Sequence, residues 1–240
     1  MQAFLAIGVG SVSSGSHLST TSLGFETTQT VVTAGHRDWQ LTALANRGQF
    51  DDPSGHHEAA GVPPASWSLF GLVWPSAISL ANQLHERIDM LDGLSVLELG
   101  CGLALPSLVL ASNQVNVVAS DMHPLAANFL AQNCRSNHVA GIPFRPCLWP
   151  SPISDRDGPS DPPYPSHTFD WIVGSDLLYE TGQPEHLLSQ IKLSAHEQTH
   201  MMITDPGRGK LGRFERGMST LGFSPASGND NGIRWRIFTR

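Results

Sequence analysis

The 240-residue chain is 40% hydrophobic and only 15% charged, which excludes global disorder and leaves ample length for a buried core. Fourteen basic against 21 acidic residues give a net charge of −7, and Lys192 and Lys210 are the only lysines. The basic stripe of a sequence-independent nucleic-acid binder is missing, so no nucleic-acid partner is expected. Three cysteines (Cys101, Cys134, Cys147) without a C-x-x-C pair exclude a dense disulfide framework and fit a reducing compartment.

No apolar run approaches the roughly 18–20 residues that span a bilayer. The start, residues 1–10, is apolar like a signal segment but lacks its basic flank, since the first Arg or Lys is Arg37. A soluble cytoplasmic protein with no membrane contact is expected. Residues 1–25, rich in Gly, Ser and Thr, read as a disordered tail. Two β-prone runs, 28–33 and 39–44, flank Ala34-Gly35-His36 and predict a hairpin. Residues 51–64 read as a loop. His56 and His57 in it have no partner at ligand spacing, so no metal site is expected.

From 74 to 88 the apolar residues Trp74, Ala77, Ile78, Ala81 and Leu84 recur at helical spacing, with Pro75 suited to the first turn. Strands are predicted at 94–99, 115–120, 142–148, 169–175, 200–204 and 233–238, with helices at 105–111, 124–135, 184–195 and 210–221 between them. Residues 150–165 hold six prolines and read as an excursion loop. Strands separated by helices of this length predict a mostly parallel α/β sheet.

Glu98-Leu-Gly100-Cys101-Gly102 joins a predicted strand to a predicted helix, where glycine lets backbone N–H groups approach a ligand. Asp121 closes the next strand and suits the two hydroxyls of a ribose. The dinucleotide fingerprint needs a small residue at the position of Leu105, which disfavours NAD. The Glu98 carboxylate would repel a pyrophosphate and attract a ligand carrying an amino group and a sulfonium. S-adenosylmethionine is therefore the expected cofactor. The alternative is a turn that holds no ligand. Cys101 reads as a small buried residue rather than a nucleophile.

Residues 96–103 followed by Ser120-Asp121 resemble motif I and its successor in class I S-adenosylmethionine-dependent methyltransferases. Three further segments resemble the lysine methyltransferase-like family (methyltransferase family sixteen) and, within it, bacterial relatives of the electron-transfer-flavoprotein β-subunit lysine methyltransferases. They are Trp74-x-x-Ala77-x-x-Leu80-Ala81, Asp176-x-x-Tyr179 and Asp205-Pro206-Gly207-Arg208. The resemblance covers roughly residues 26–240. It implies a Rossmann-like, seven-stranded class I methyltransferase sheet with helices on both faces, preceded by the N-terminal β-hairpin. The expected division is hairpin and loop at 26–66 and a methyltransferase domain at 67–240.

By the same resemblance Trp74 flanks the cofactor, Gly100, Cys101 and Gly102 line its methionine part, and Asp121 holds its ribose. Trp149 lies against the adenine, and Ser175 also lines the cofactor. Cys147-Leu148-Trp149 departs from the family's L-D-W at Leu148. Trp74 and Trp149 have an alternative as plain core aromatics.

A lysine ammonium must lose its proton before attack. Asp176 is accordingly assigned to binding and orienting the amine, and Tyr179 to an aromatic wall beside it. Asp205 and Arg208 stand at the same rim or form a surface pair within a Pro-Gly turn. The expected activity is methyl transfer to a lysine of a protein substrate, by a monomer or weak oligomer. Alternatives are a small-molecule methyltransferase and a cofactor-binding assembly factor.

Overall fold

Residues in the middle strands of a parallel sheet are covered on both faces, so their sequences read as almost unbroken apolar runs. The computed structural model describes residues 12–20, 25–45, 55–59, 66–147 and 168–240, and the apolar runs within them form its central sheet. Those strands are β4 (Ser95–Leu99), β5 (Asn116–Asp121), β6 (Phe144–Pro146), β7 (Phe169–Ser175), β8 (Ala195–Asp205), β9 (Ser224–Asp230) and β10 (Ile233–Thr239). Their order is β6-β5-β4-β7-β8-β10-β9. The first five run parallel, whereas β10 lies antiparallel to both β8 and β9. This is the predicted seven-stranded sheet.

Five helices follow the predicted 3.6-residue pattern: α2 (Pro75–His85), α3 (Leu105–Ser112), α4 (Ala126–Ser136), α5 (Gln183–Ser194) and α6 (Leu211–Thr220). Successive strand side chains go to opposite faces. Leu97, Leu99, Ile172, Met201 and Ile203 meet Leu187 and Ile191 of α5 and Phe214 and Met218 of α6. Val96, Val117, Trp171, Val173 and Met202 meet Leu80 and Leu84 of α2 and Leu110 of α3. Helices therefore cover both faces. Among the described residues no helix is long and apolar enough to cross a membrane.

The N-terminal region departs from expectation. Strands β2 (Glu26–Ala34) and β3 (Arg37–Leu44) form the predicted hairpin, but β1 (Val12–Thr20) pairs antiparallel with β2 and makes a three-stranded sheet. Part of the segment read as a disordered tail is thus a strand. Its small polar residues bring little apolar surface, yet the open edge of β2 supplies backbone partners that a local reading does not contain. Residues 1–11 and 21–24 lie outside the described residues. Within the expected loop at 51–64, a helical turn α1 (His56–Ala59) is formed.

The free edge of β3 is closed by side chains of α4 instead of another strand. The Thr42 N–H donates to Asn133 Oδ1 and the Gln40 N–H to Asn137 Oδ1, both at 2.8 Å. Asn137 Nδ2 returns a bond to the Gln40 carbonyl at 2.8 Å. The small sheet is thereby fixed against the large one, with Trp39 and Leu41 buried beside Leu105, Leu108 and Val109 of α3.

Strand β9 was not anticipated, because Ser-Pro-Ala-Ser-Gly-Asn-Asp has no apolar alternation and is mostly exposed at the sheet edge. The usable signal was Asn231-Gly232, where positive φ at both residues (49° and 90°) turns β9 into β10. Strand β6 is only three residues long, Phe144–Pro146, against the expected 142–148. The excursion loop at 150–165 lies outside the described residues.

Candidate functional site

A cavity of about 460 Å³ opens beyond the carboxyl ends of β4, β5 and β7, within the roughly 300–1,000 Å³ usual for small-molecule sites. Its floor is the glycine turn. Gly100 (φ +61°), Gly102 (φ +53°) and Ala104 (φ +62°) all adopt left-handed backbone, which only glycine does without strain. A Cβ on Gly102 would stand 2.8 Å from the Phe70 carbonyl oxygen, so residue 102 has no space for a side chain. The turn is stitched to β5 by the Cys101 N–H donating to the Ser120 carbonyl at 2.9 Å.

Asp121 enters the cavity from the end of β5. The Gly102 N–H donates to its Oδ2 and the His123 N–H to its Oδ1, each at 2.8 Å. Burial raises the Asp121 carboxyl above its ordinary range, and these backbone donors oppose that shift. Each oxygen keeps a lone pair for a ligand hydroxyl.

Glu98 does a different job from the one expected of it. It is buried, does not line the cavity, and its carboxylate accepts from the Ser107 N–H at 3.0 Å and from the Ser107 hydroxyl. Helix α3 begins after Ala104, whose side chain has no acceptor, so Glu98 caps an orphan N–H of its first turn. Burial pushes the Glu98 carboxyl up to about 8, so at neutral pH it mostly holds its proton and offers little charge to a cationic ligand.

Trp74, Cys101, Ser175, Asp176 and Tyr179 all line the cavity. Trp74 stands at the N-cap of α2, its Nε1 donating to the Leu69 carbonyl at 3.0 Å. The Cys101 thiol is held well above its usual range, first by burial and then by Asp121 and Glu98, which makes it a poor nucleophile. Trp149 lies outside the described residues.

Sequence reasoning missed several contributors to the wall, among them Leu41, Phe70, Met122 and His123. Leu41 comes from the N-terminal sheet; Phe70 and His123 stack with ring centroids 3.7 Å apart. Only Met122 and His123 carried a local signal, by directly following Asp121.

At the other end of the cavity, Asp176 follows β7 with φ +56°, a left-handed conformation that Asp and Asn tolerate better than most residues. Its N–H donates to the Thr204 carbonyl at 2.9 Å. Its carboxylate is gripped by both ends of the Arg208 guanidinium: Nη1 donates to Oδ1, and Nη2 to Oδ2 at 3.2 Å. Burial raises the Asp176 carboxyl, Arg208 counteracts this, and nearby Asp205 adds to it. Burial likewise raises the Tyr179 phenol.

The lysine methyltransferase family model matches residues 65–211, which carry every site residue described above except Leu41. The chain belongs to the lysine methyltransferase family. Among curated members, it is 30% identical over 154 residues to the electron transfer flavoprotein beta subunit lysine methyltransferase of Rattus norvegicus, covering 63% of this chain and 55% of that one. It is 32% identical over 133 residues to the histone-arginine methyltransferase METTL23 of the same organism, covering 54% and 56%. The chain thus spans about half the length of the curated relatives it matches.

Among solved structures, a T. Thermophilus 16S rRNA methyltransferase in complex with AdoMet and guanosine superimposes with a TM-score of 0.57 at 14% identity. It covers 88% of this chain and 50% of that one, a likeness of fold. A SAM-dependent methyltransferase from Aquifex aeolicus has the same fold, with a TM-score of 0.51 at 14% identity over 65% of this family member and 87% of that chain.

Proposed function

We propose that the protein transfers a methyl group from S-adenosylmethionine to a lysine side chain of a protein. The observation that carries this reading is the single cavity that joins a glycine turn and ribose-type carboxylate at one end to Asp176 and Tyr179 at the other. The residues present fit the cofactor. Backbone of Gly100 to Gly102 lies open beside the cavity, and Asp121 keeps acceptor capacity for two hydroxyls. Trp74 and Ser175 border the same space, as do Met122 and His123 next to Asp121. Glu98 supports the site indirectly, by holding the first turn of α3 behind the glycines.

When bound, the cofactor supplies an already activated methyl on its sulfonium, so the chain's task is alignment, exclusion of water and control of one proton. Leu41, Phe70, Leu103 and Leu177 make the cavity wall largely apolar and exclude water. Asp176 directs the incoming amine, and Tyr179 forms the wall beside it. The amine attacks as a neutral nucleophile, and desolvation in this cavity favours loss of its proton.

The histone-arginine relatives raise a guanidinium acceptor as a second reading. An arginine acceptor is best gripped by a free carboxylate fork, and the fork of Asp176 is already taken by Arg208. That favours lysine.

Incubation of the full chain with methyl-labelled S-adenosylmethionine and a protein extract, followed by acid hydrolysis, is expected to give labelled methyl-lysine. Label in methylarginine, in small molecules only, or nowhere refutes the proposal. The electron transfer flavoprotein β subunit is the first purified acceptor to try.

A further inference from the structure

The loop that begins with Asp205-Pro-Gly-Arg208 and runs on to Lys210 meets the site twice. Arg208 forks onto Asp176, and the Lys210 ammonium donates to the Tyr179 carbonyl at 3.1 Å. Both cations come from the loop between β8 and α6, and both hold the segment that follows β7. The guanidinium of Arg208 also lies 5.8 Å from the Trp74 ring, so it borders the cavity beside both Asp176 and Trp74.

We propose that Arg208 is a positioning residue that sets the protonation state of the acceptor amine, by presenting it with a neutral Asp176–Arg208 pair in place of a bare carboxylate. The inference rests on the methyltransferase reading above. A bare carboxylate would hold the amine as its ammonium, which cannot attack. The paired carboxylate still accepts a hydrogen bond, which orients the amine without favouring its proton.

The other charged groups around the pair do not substitute for Arg208. On the same loop as Asp176, Tyr179 is a neutral phenol and Glu180 is exposed. Asp205, at the end of β8, adds negative potential, while Arg234 on β10 lies against Gly207 on the far side of that loop. Lys210 is committed to the Tyr179 carbonyl, and His186 of α5 borders the cavity. Asp121 sits across the cavity at the glycine turn. Among the described residues, the guanidinium is the one charged group bonded to the Asp176 carboxylate.

The test is Arg208→Gln in the full chain, with electron transfer flavoprotein β subunit, or the protein labelled in the extract, as acceptor. The pH dependence of kcat reports groups in the bound complex. Its rising limb is expected to move up by about one pH unit, lowering kcat about tenfold at neutral pH. KM is expected to fall, because the substrate ammonium takes the vacated place on Asp176. Loss of structure would instead lower kcat at every pH and raise KM.

The double variant Asp176→Asn with Arg208→Gln leaves no unpaired buried charge and is expected to return the limb to its wild-type position. Carbon-13 NMR of Asp176 needs neither acceptor nor cofactor, and its carboxyl is expected to titrate higher in Arg208→Gln. An active wild type whose Gln variant keeps both limb and KM, or an Asp176 carboxyl that does not move, overturns the inference alone. A wild type that methylates neither acceptor overturns the proposed function and this inference with it.

Discussion

Replacing Asp121 by Ala removes the acceptor from two backbone donors at once, Gly102 N–H and His123 N–H. A buried donor left without a partner costs about 1–3 kcal/mol. The vacated space borders the cavity, so water reaches at least one of the two N–H groups and lowers that cost. The net loss is about 2 kcal/mol, which for a chain of this length lowers Tm by roughly 4–8 °C.

Under the proposed function, the same substitution removes charge-assisted hydrogen bonds to the ribose hydroxyls, worth about 1.5–3 kcal/mol, or roughly 10- to 150-fold in cofactor affinity. Thermal unfolding of the ligand-free chain reads the first effect, and calorimetry with S-adenosylmethionine reads the second. Asp121→Asn keeps one acceptor oxygen and is expected to lose about half of each. Unchanged affinity in Asp121→Ala would remove the carboxylate from the ligand site. An unchanged Tm would show that the turn does not depend on it.

Three further outcomes follow from other parts of the structure. Glu98 titrates at about 8 in the folded chain against an ordinary 4.5, so its contribution to stability is complete below pH 4.5 and is lost as pH rises through 8. Glu98→Gln is therefore expected to flatten the fall in Tm between pH 5 and about 9; a wild-type-like slope in the variant would assign that fall elsewhere. Asn133→Ala strips acceptor and donor from Thr42 N–H and the Leu103 carbonyl and is expected to cost about 1–3 kcal/mol, measured by urea unfolding, with no cost meaning that β3 does not rely on α4. At the opposite end of the sheet, Ser95 and then His196 hold the Asp170 carboxyl below its usual 3.8, so its stabilisation is present above that pH and lost as pH falls further. Asp170→Asn is expected to lower Tm at pH 6 more than at pH 3, and an equal loss at both would exclude the ionic contribution.

Local signals account for what was legible without coordinates. The glycine turn, Asp121 and Asp176 each sit at the end of a short apolar strand, with Tyr179 three residues after Asp176, and the carboxyl ends of adjacent parallel strands border one crevice. Apolar periodicity likewise announced the strands and helices whose faces are covered, because burial imposes that pattern. Backbone pairing at an edge imposes none. For that reason β1 and β9 escaped notice, although Asn231-Gly232 marked the turn between β9 and β10.

Side-chain partners distant in sequence were decided only by the tertiary structure. A carboxylate two residues before Gly100 reads as facing a ligand, but alternation along β4 sends Glu98 toward α3, where Ser107 takes it. Asp176 and Arg208 lie in separate motifs, and only the adjacency of β7 and β8 brings them into contact. Leu41 becomes a wall of the cavity because Asn133 and Asn137 dock a separate sheet beside it. Chain order specifies which residues end each strand, whereas charge, burial and partnership at those ends depend on which elements pack together in space.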